Sequence, residues 1–344
     1  MTVTVLDPEF VLPPGREATE PPEARGVARD QVRLLVSDRG LLTHSHFREL
    51  SSFLRPGDLV VVNTSATMSA AVPARLGDVP VVVHFSTWLD DGNWVVEVRT
   101  GDGQKFDWAT LRAGMRIQAP GGVIIMLVRP WLPDGRRLWS AHISTEKVVR
   151  WLERHGRPIT YSYVSKHWSA RYYRTAFGRD LGSAEMPSAG RPFTDGVVTD
   201  LVSKGIAVAP ITLHTGVSSA ELGEPPSPER YLVPDATARI VNNVRAAGRR
   251  VVAVGTTVTR ALETVAAEDG RVHAGAGWTD LVLSAHRPTR TVDGLVTGWH
   301  EPGASHLMLL EAVVGIGAVR EAYDAALAGE YLWHEFGDSA LLLR

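Results

Sequence analysis

Small polar residues follow directly after three apolar runs of the sequence. Val254 is followed by Gly255-Thr256-Thr257, and the other two runs end at His214 and Asn63. Free backbone N–H groups at a helix start can bind an anion, and a histidine can exchange a proton near neutral pH. The pattern predicts a ligand site where the carboxyl ends of strands meet in an α/β fold. A histidine with a purely structural hydrogen bond is the alternative for His214.

Arg260 falls in the first helical turn after Thr257, where a cation opposes the helix macrodipole. We therefore expect an acidic partner or an anionic ligand beside it. Its planar guanidinium suits a carboxylate or a phosphate. A plain strand-to-helix connection with a solvated arginine is the alternative interpretation of this stretch.

The turn needs a strand before it and a helix after it, and the sequence supplies both. Val251–Val254 is a continuous apolar run, typical of a strand buried on both faces. Apolar residues then recur at helical spacing from Val258 until Asp269-Gly270. The same criteria predict strands at 32–37, 59–62 and 206–213, and helices at 47–54, 145–155, 197–203, 236–247, 307–319 and 319–328, with the apolar helix beginning near Ser305.

Residues 72–143 differ from the rest of the chain, since they show short strands and tight turns with little helical periodicity. The run Asp90-Asp91-Gly92-Asn93 is a hairpin signal. Several short strands at this spacing indicate a small β-barrel, and 344 residues exceed the usual size of one core. We predict an α/β domain of residues 1–70 and 146–344 with an inserted β-barrel domain of residues 71–145. The insertion could bind a ligand, cover the site or only add stability.

The composition excludes several kinds of site. The chain has no cysteine, which excludes disulfides, cysteine-ligated zinc, iron–sulfur clusters and a cysteine nucleophile. His300-Glu301 and His334-Glu335 each lack the second histidine of a zinc helix motif, so no metal site is predicted. A net charge of -2 gives no overall nucleic-acid signature, although a local basic patch is compatible with it. No signal peptide, membrane span or obligate protein partner is indicated, and we expect a cytoplasmic protein.

Two further segments are candidates for binding surfaces. Residues 161–174 combine aromatic side chains with Lys166, Arg171 and Arg174, which suits stacking on a base and contacting phosphates. An amphipathic surface helix that buries these aromatics is an equally supported alternative. Residues 182–194 consist largely of small residues, prolines and glycines, so we expect this loop to shape a pocket.

A series of motifs extends in order along nearly the whole chain. The series begins with Leu54 to Leu59, Asn63 and Pro73-Ala74-Arg75-Leu76, and continues with Arg171-Tyr172, Thr175, the loop 182–194 and Thr212-Leu213-His214 with Gly216. It ends with Val254-Gly255-Thr256-Thr257, Arg260, Leu262 and Glu263, then Thr279-Asp280, His300 with Pro302, Met308-Leu309 and Gly337-Asp338. The series resembles the S-adenosylmethionine:tRNA ribosyltransferase-isomerase family of queuosine biosynthesis, most closely at residues 254–263.

The resemblance implies a barrel-like α/β main domain with an inserted small β-barrel, in agreement with the domain prediction. It also implies that S-adenosylmethionine donates its ribosyl group to 7-aminomethyl-7-deazaguanine at the wobble position of a tRNA anticodon. Adenine and methionine leave, and the sugar becomes an epoxycyclopentanediol, so that the product is epoxyqueuosine. No metal is required.

In such a reaction a base must remove a proton next to the sulfonium, which calls for histidine or a carboxylate. The catalytic candidates are His214, Asp280 and His300, and we expect His214 or Asp280 to act near the sulfonium carbon. Arg260 is expected to hold the methionine carboxylate or a phosphate. The expected substrate-binding residues are Gly255, Thr256, Thr257, Arg260, Glu263, Pro187, Ser188, Gly190, Phe193, Thr194, Asn63 and Asp338.

The chain departs from the family pattern on the acceptor or catalytic side. Ala66 replaces an arginine, Pro192 a histidine, Tyr173 a glutamine and Gly298 an asparagine. Three functions therefore stay open at this point. They are the tRNA enzyme, a paralogue that uses S-adenosylmethionine on another acceptor such as a small molecule, and a non-catalytic RNA-binding relative.

Overall fold

The computed structural model describes residues 10–132, 135–164, 166–217 and 227–344. Within these ranges the chain forms a nine-stranded sheet with helices, a closed six-stranded barrel and a two-stranded sheet. The predicted class, a mixed α/β protein with an inserted β-barrel, is confirmed. The turn expected at Pro133-Asp134-Gly135 and the loop expected from Glu224 to Pro228 lie partly outside the described residues.

The regular elements follow in chain order. The strands are β1 (Arg33–Asp38), β2 (Leu41–His46), β3 (Leu59–Asn63), β4 (Ser65–Thr67), β5 (Ala71–Leu76), β6 (Val79–Trp88), β7 (Trp94–Thr100), β8 (Arg116–Gln118), β9 (Ile124–Pro130), β10 (Leu138–Ile143), β11 (Asp180–Ser183), β12 (Ala207–His214), β13 (Glu229–Val233), β14 (Val251–Val254), β15 (Gly275–Thr279), β16 (Gly294–Gly298) and β17 (Ser339–Leu343). The α-helices are α1 (Val148–His155), α2 (Asp195–Ser203), α3 (Asp235–Ala246), α4 (Thr256–Thr264), α5 (Ser305–Val314) and α6 (Ile316–Ala328). Short 3₁₀ helices lie at Pro22–Arg25, Arg29–Gln31, Phe47–Phe53, Trp108–Thr110, Pro120–Gly122, Ala170–Tyr173 and Ser188–Gly190.

Four parallel strands form the centre of the large sheet, in the order β12-β3-β14-β16. They are apolar because both faces of the sheet are covered. In β3, Leu59 and Val61 pack into the core formed with α3 to α6, whereas Val60 and Val62 pack with α2 and the 3₁₀ helix Phe47–Phe53. The alternation follows from the two-residue period of a strand.

The carboxyl ends of these strands meet along one edge of the sheet, which we call the carboxyl edge. The antiparallel neighbours bring further residues there, since Arg230 pairs with His214, Glu229 with Thr279, and Ser339 with Gly298. In spatial order the carboxyl edge holds Thr279, Glu229, His214, Asn63, Gly255, Gly298 and Asp338. The topology thus gathers residues from across the sequence.

Strands β5 to β10 close into an antiparallel barrel in the order β10-β7-β6-β5-β8-β9. They extend from Ala71 to Ile143, within the predicted insertion. The expected hairpin joins β6 to β7, and its Gly92 has a φ of +83°, which favours glycine. Phe85 of β6 packs edge to face on Trp151 of α1 at 5.7 Å between ring centroids, so the barrel is packed against the helix that returns the chain to the α/β domain.

Several predicted helices differ from the structure in detail. The helix expected at 145–155 begins at Val148. The apolar helix begins at Ser305 as expected but is divided before Val319, since α5 ends at Val314 and the helix expected from Val319 to Ala328 already begins at Ile316. The division occurs because Gly315, with a φ of +82°, ends α5. In the segment 161–174 the described part is helical only at Ala170–Tyr173, so the amphipathic-helix alternative is wrong there. Among the described helices, none is long and apolar enough to cross a membrane.

Candidate active site at the carboxyl edge

The turn between β14 and α4 lies in the middle of the carboxyl edge. Gly255 has a φ of +90° and is the N-cap residue of α4, which has no side-chain cap. A Cβ atom at this position would lie 3.3 Å from the Cβ of Ala189. The turn therefore touches the loop 187–194, and the first N–H groups of α4 have no side-chain cap.

Asn63 joins three elements beside this turn. Its Oδ1 accepts hydrogen bonds from the N–H groups of Ser65 and Leu213, both at 3.0 Å. Its Nδ2 donates to the carbonyl of Leu213 at 2.8 Å and to Thr257 Oγ1 at 3.3 Å. The side chain is buried and its hydrogen-bonding capacity is used within the protein, so it fixes the ends of β3 and β12 against α4.

His214 at the end of β12 is half-buried in a tightly fitted pocket. Its Nδ1 lies 2.7 Å from Ser65 Oγ, and its ring packs on Trp88 at 5.0 Å between centroids. A Cβ at Gly182 would come within 2.4 Å of Nδ1, so only glycine fits there. Burial, assisted by Arg230, lowers the pKa of His214 to about 4. The imidazole is therefore neutral at pH 7.

His300 lies on the other side of the turn, after β16. Its Nε2 is 3.0 Å from Thr297 Oγ1, and its ring stacks on His306 at 4.5 Å between centroids with 4° between planes. Burial lowers the pKa of His300 well below its usual value and that of His306 to about 4. Both imidazoles are neutral at pH 7, which permits their stacking without charge repulsion.

The three expected catalytic residues do not form one cluster. The ends of β12 and β16 are three strand spacings apart, so the chain at His214 and at His300 is separated by about 14 Å. Asp280 follows β15 and is exposed, about 10 Å beyond His214 along the edge. His214 is the candidate that shares direct neighbours with Asn63, because Ser65 contacts both.

Arg260 has the acidic partner that its position predicted. The buried guanidinium pairs with Glu229, and it also donates to the carbonyls of Leu281 at 3.1 Å and Thr279 at 3.2 Å. Burial raises the pKa of Glu229, while the Arg260 charge opposes that shift. All three guanidinium nitrogens have protein partners, so the expected binding of a substrate anion requires an exchange of one of these bonds.

Two expected ligand carboxylates accept backbone hydrogen bonds. Glu263 is 1% exposed and accepts from the N–H groups of residues 290, 291 and 292 at 2.8 to 3.1 Å, at the end of α4 remote from the turn. Asp338 accepts from Arg33 N and Leu332 N, both at 2.8 Å. Glu263 thus holds a loop in place, whereas Asp338 stays at the carboxyl edge.

The loop 187–194 is fixed at its far end. Phe193 is buried against Phe47 and Phe177, with ring centroids 5.0 and 5.1 Å apart. Thr194 caps α2 by accepting from Val197 N at 3.3 Å, and it donates to Asp30 at 3.0 Å. These two expected ligand residues anchor the loop, which leaves Pro187, Ser188 and Gly190 nearer the turn.

A cleft lies beyond Gly255 at the β16–β17 end of the carboxyl edge. Its lining includes Ser188, Pro192, Gly298, Glu335 and Asp338, so two departures from the family pattern line one cleft. Burial raises the pKa of Glu335 to about 7, and the carboxylate accepts a hydrogen bond from Tyr163. Sequence reasoning considered Glu335 only as part of a zinc motif, and no spacing marks it as a site residue.

One cluster in the described part of the chain has donor atoms close enough for a metal ion. Atoms of Glu17, Glu301 and His334 lie within 4.8 Å of one another, and His334 Nε2 is 3.6 Å from an oxygen of each carboxylate. Both carboxylates are largely exposed. Burial lowers the pKa of His334, so its neutral imidazole forms no ion pair with these carboxylates at pH 7, and exposed acidic groups commonly gather without a metal ion.

The fold and the site define a class of protein. It is a mixed α/β protein with an inserted barrel, whose candidate ligand site surrounds an uncapped helix start at the carboxyl edge of parallel strands.

Comparison with known proteins then identifies the family. The chain belongs to the family described as queuosine biosynthesis protein, whose profile matches residues 5–342. An S-adenosylmethionine:tRNA ribosyltransferase-isomerase of Moorella thermoacetica is 34% identical over 97% of this chain and 98% of its own length. An S-adenosylmethionine:tRNA ribosyltransferase-isomerase of Symbiobacterium thermophilum is 35% identical over 98% of this chain and 99% of its own length. The crystal structure of an S-adenosylmethionine tRNA ribosyltransferase from Thermotoga maritima is similar with a TM-score of 0.54 and 29% identity, covering 97% of this chain and 99% of that one.

The buried pair of Arg260 and Glu229 generates a stability prediction. Arg260→Met leaves the Glu229 charge buried without its partner, and we expect a loss of roughly 3–5 kcal/mol in the free energy of unfolding. The double variant Arg260→Met/Glu229→Gln removes both charges and should regain most of the lost free energy of unfolding. Urea denaturation measures both values. Equal destabilisation of the single and double variants would show that the pair is not the cause.

The neutral His214 generates a prediction on pH. The folded state has a pKa of about 4 against 6.5 for an ordinary histidine, so the unfolded chain binds this proton first as the pH falls. The stability from His214 is complete above pH 6.5 and is lost towards pH 4. We expect this difference in proton binding to lower the free energy of unfolding by about 2 kcal/mol between pH 7.5 and 5.0. Over the same pH interval, the free energy of unfolding of His214→Asn should fall by that much less than that of the wild type. An equal fall in both proteins, measured by urea denaturation at each pH, would contradict the assignment.

Proposed function

We propose that this chain transfers and isomerises the ribosyl group of S-adenosylmethionine onto 7-aminomethyl-7-deazaguanine in tRNA, giving epoxyqueuosine, adenine and methionine. The observation that carries the proposal is the joint placement of neutral His214, Asn63 and the start of α4 at the carboxyl edge. Membership of the family over residues 5–342 supports it.

In this proposal the donor lies over the turn at Gly255. Its methionine carboxylate meets the uncapped N–H groups of Thr256 and Thr257, where the helix dipole favours negative charge. Arg260 then acts from the first turn of α4, by holding the ends of β13 and β15 in place through Glu229 and Thr279. This role differs from direct anion binding, and it agrees with the occupied guanidinium.

His214 is the base in this proposal. Because Ser65 holds Nδ1, the other ring nitrogen is available to take a proton from the carbon next to the sulfonium. The neutral imidazole avoids repulsion with the sulfonium cation. The adjacent sulfur cation acidifies that carbon, which compensates for the weak basicity of a histidine with a pKa of about 4. Asp280 lies further from the turn along the edge than His214, and His300 lies on the opposite side of the turn.

The cleft at Glu335 is the proposed acceptor side. An aminomethyl group is an ammonium ion at pH 7 and must lose a proton before its nitrogen can attack. Glu335, with a pKa of about 7, can accept that proton. The nitrogen then forms its bond to the ribosyl carbon and releases its extra proton to solvent. The bonds to adenine and to the methionine sulfur break, adenine takes up the proton that His214 removed, methionine leaves as the neutral thioether, and the sugar rearranges to the epoxycyclopentanediol.

The test is incubation with S-adenosylmethionine and tRNA that carries the deazaguanine precursor, followed by mass spectrometry of the nucleosides. We expect epoxyqueuosine in the tRNA and one adenine released for each modification. His214→Asn should lower kcat by about 10²- to 10⁴-fold with little change in donor affinity. Absence of all turnover in the wild type would favour a non-catalytic RNA-binding relative.

A second function is supported by one specific observation, namely that both Pro192 and Gly298 line the acceptor cleft. A cleft with a changed lining is what a different acceptor would require, while the donor turn is unchanged. In that case the same assay yields adenine release from S-adenosylmethionine with a small amine acceptor and no modified tRNA.

Reverse substitutions distinguish the two functions. At Gly298 a Cβ would meet only the carbonyl of His334, at 4.0 Å, so Gly298→Asn fits the space. If the cleft has changed its acceptor, Pro192→His/Gly298→Asn should raise kcat/KM for tRNA at least tenfold. If tRNA is already the acceptor, the double variant should leave it unchanged or lower it. Circular dichroism and the melting temperature control for folding.

A further inference from the structure

The chain between α1 and β11 is strongly basic. Residues 154–179, which we call the basic strip, contain six lysines or arginines and no aspartate or glutamate, in a chain of net charge -2. The structure describes all of the strip except residue 165. The six cations are Arg154, Arg157, Lys166, Arg171, Arg174 and Arg179.

These cations face solvent without anionic partners. All but Arg157 are exposed, and none of the six forms an ion pair with another described residue. Buried arginines elsewhere do pair, as Arg191 does with Glu23 at 2.6 Å. A surface of one sign concentrates counter-ions and attracts an anionic partner.

Aromatic side chains alternate with the cations. Lys166 Nζ lies 4.3 Å from the ring centroid of Trp168, and the Arg171 guanidinium lies 4.8 Å from that of Tyr172. Trp168 and Tyr172 are half-buried and pack edge to face at 5.1 Å. Single-stranded nucleic acids are bound by this combination, in which cations contact phosphates and aromatic rings stack on bases.

The basic strip runs from the start of the barrel to the end of β3 and contacts the acceptor cleft between them. At its start Arg157 pairs through its backbone with Ala71, with both N–H···O distances at 2.9 Å, where the barrel begins. In the middle the Tyr163 hydroxyl donates to Glu335 of the cleft. At its end Arg179 N donates to the carbonyl of Thr64 at 2.8 Å, directly after β3. A chain bound along the strip therefore passes beside the cleft.

We propose that the basic strip is the surface on which the sugar–phosphate backbone of the tRNA anticodon stem–loop docks, while the wobble base enters the cleft at Glu335. The inference rests on the proposed function for the identity of the RNA, and it adds the place of contact. Direct RNA binding can be measured without catalysis, so failure of the docking surface and failure of the ribosyl transfer give different results.

The experiment measures binding of a fluorescent anticodon stem–loop RNA to the full chain by anisotropy, between about 50 and 200 mM salt. Arg171→Gln/Arg174→Gln removes two exposed cations of the strip. We expect its affinity to fall at least roughly tenfold, because charge-assisted contacts to phosphate are lost. The slope of log affinity against log salt should decrease by about two.

Arg55→Gln/Arg249→Gln is the matched control. Both arginines are exposed and precede β3 and β14, at the opposite edge of the sheet. This variant should bind the RNA with wild-type affinity and salt slope, and both variants should keep wild-type affinity for S-adenosylmethionine. Equal RNA affinity of the strip variant and the control, or no RNA binding by the wild type at low salt, would overturn the inference. Wild-type RNA binding without ribosyl transfer would instead refute only the proposed function.

Discussion

The Asn63 carboxamide is the interaction on which the geometry of the candidate site depends. Parallel strands end with unpaired backbone groups, and at this edge one buried side chain satisfies those of Ser65 and Leu213 while it also bonds Thr257. An unsatisfied buried polar group costs about 1–3 kcal/mol, so the arrangement resists alternatives. The ends of β3 and β12 and the start of α4 meet at the Asn63 amide. The positions of His214 and of the turn at Gly255 are therefore fixed relative to each other.

A second constraint acts from the other side of α4. The pair of Arg260 and Glu229, extended by the carbonyls of Thr279 and Leu281, ties the first turn of the helix to β13 and β15. An arginine that opposes the helix dipole is unfavourable by itself and becomes favourable with a buried carboxylate beside it. The turn at Gly255 is therefore held between two sets of polar contacts, one from Asn63 and one from Arg260.

The sequence predicted those elements whose signal is local. Such a signal depends only on the residues of the segment itself. The structure confirms the strand predicted from the apolar run Val251–Val254, the hairpin at Asp90 to Asn93 and the β-strands of the insertion. It could not predict Glu229 as the partner of Arg260, because the two are 31 positions apart and meet only through strand pairing. Glu335 could not be predicted as a cleft residue for the same reason. Burial raises its pKa, the hydrogen bond from Tyr163 opposes that shift, and residue type encodes neither the burial nor the contact.

The same distinction between local and global properties applies to charge. A net charge of -2 argues against a nucleic-acid partner when the chain is treated as one body. The fold, however, leaves the six cations of the basic strip without an ion pair among the described residues, and it pairs many of the remaining arginines internally, as in Arg250 with Asp58. An RNA at this surface interacts with the local field, because in physiological salt charges beyond about 8 Å are largely screened. The charge of the basic strip, and not the overall charge, is therefore the relevant quantity for the proposed RNA contact.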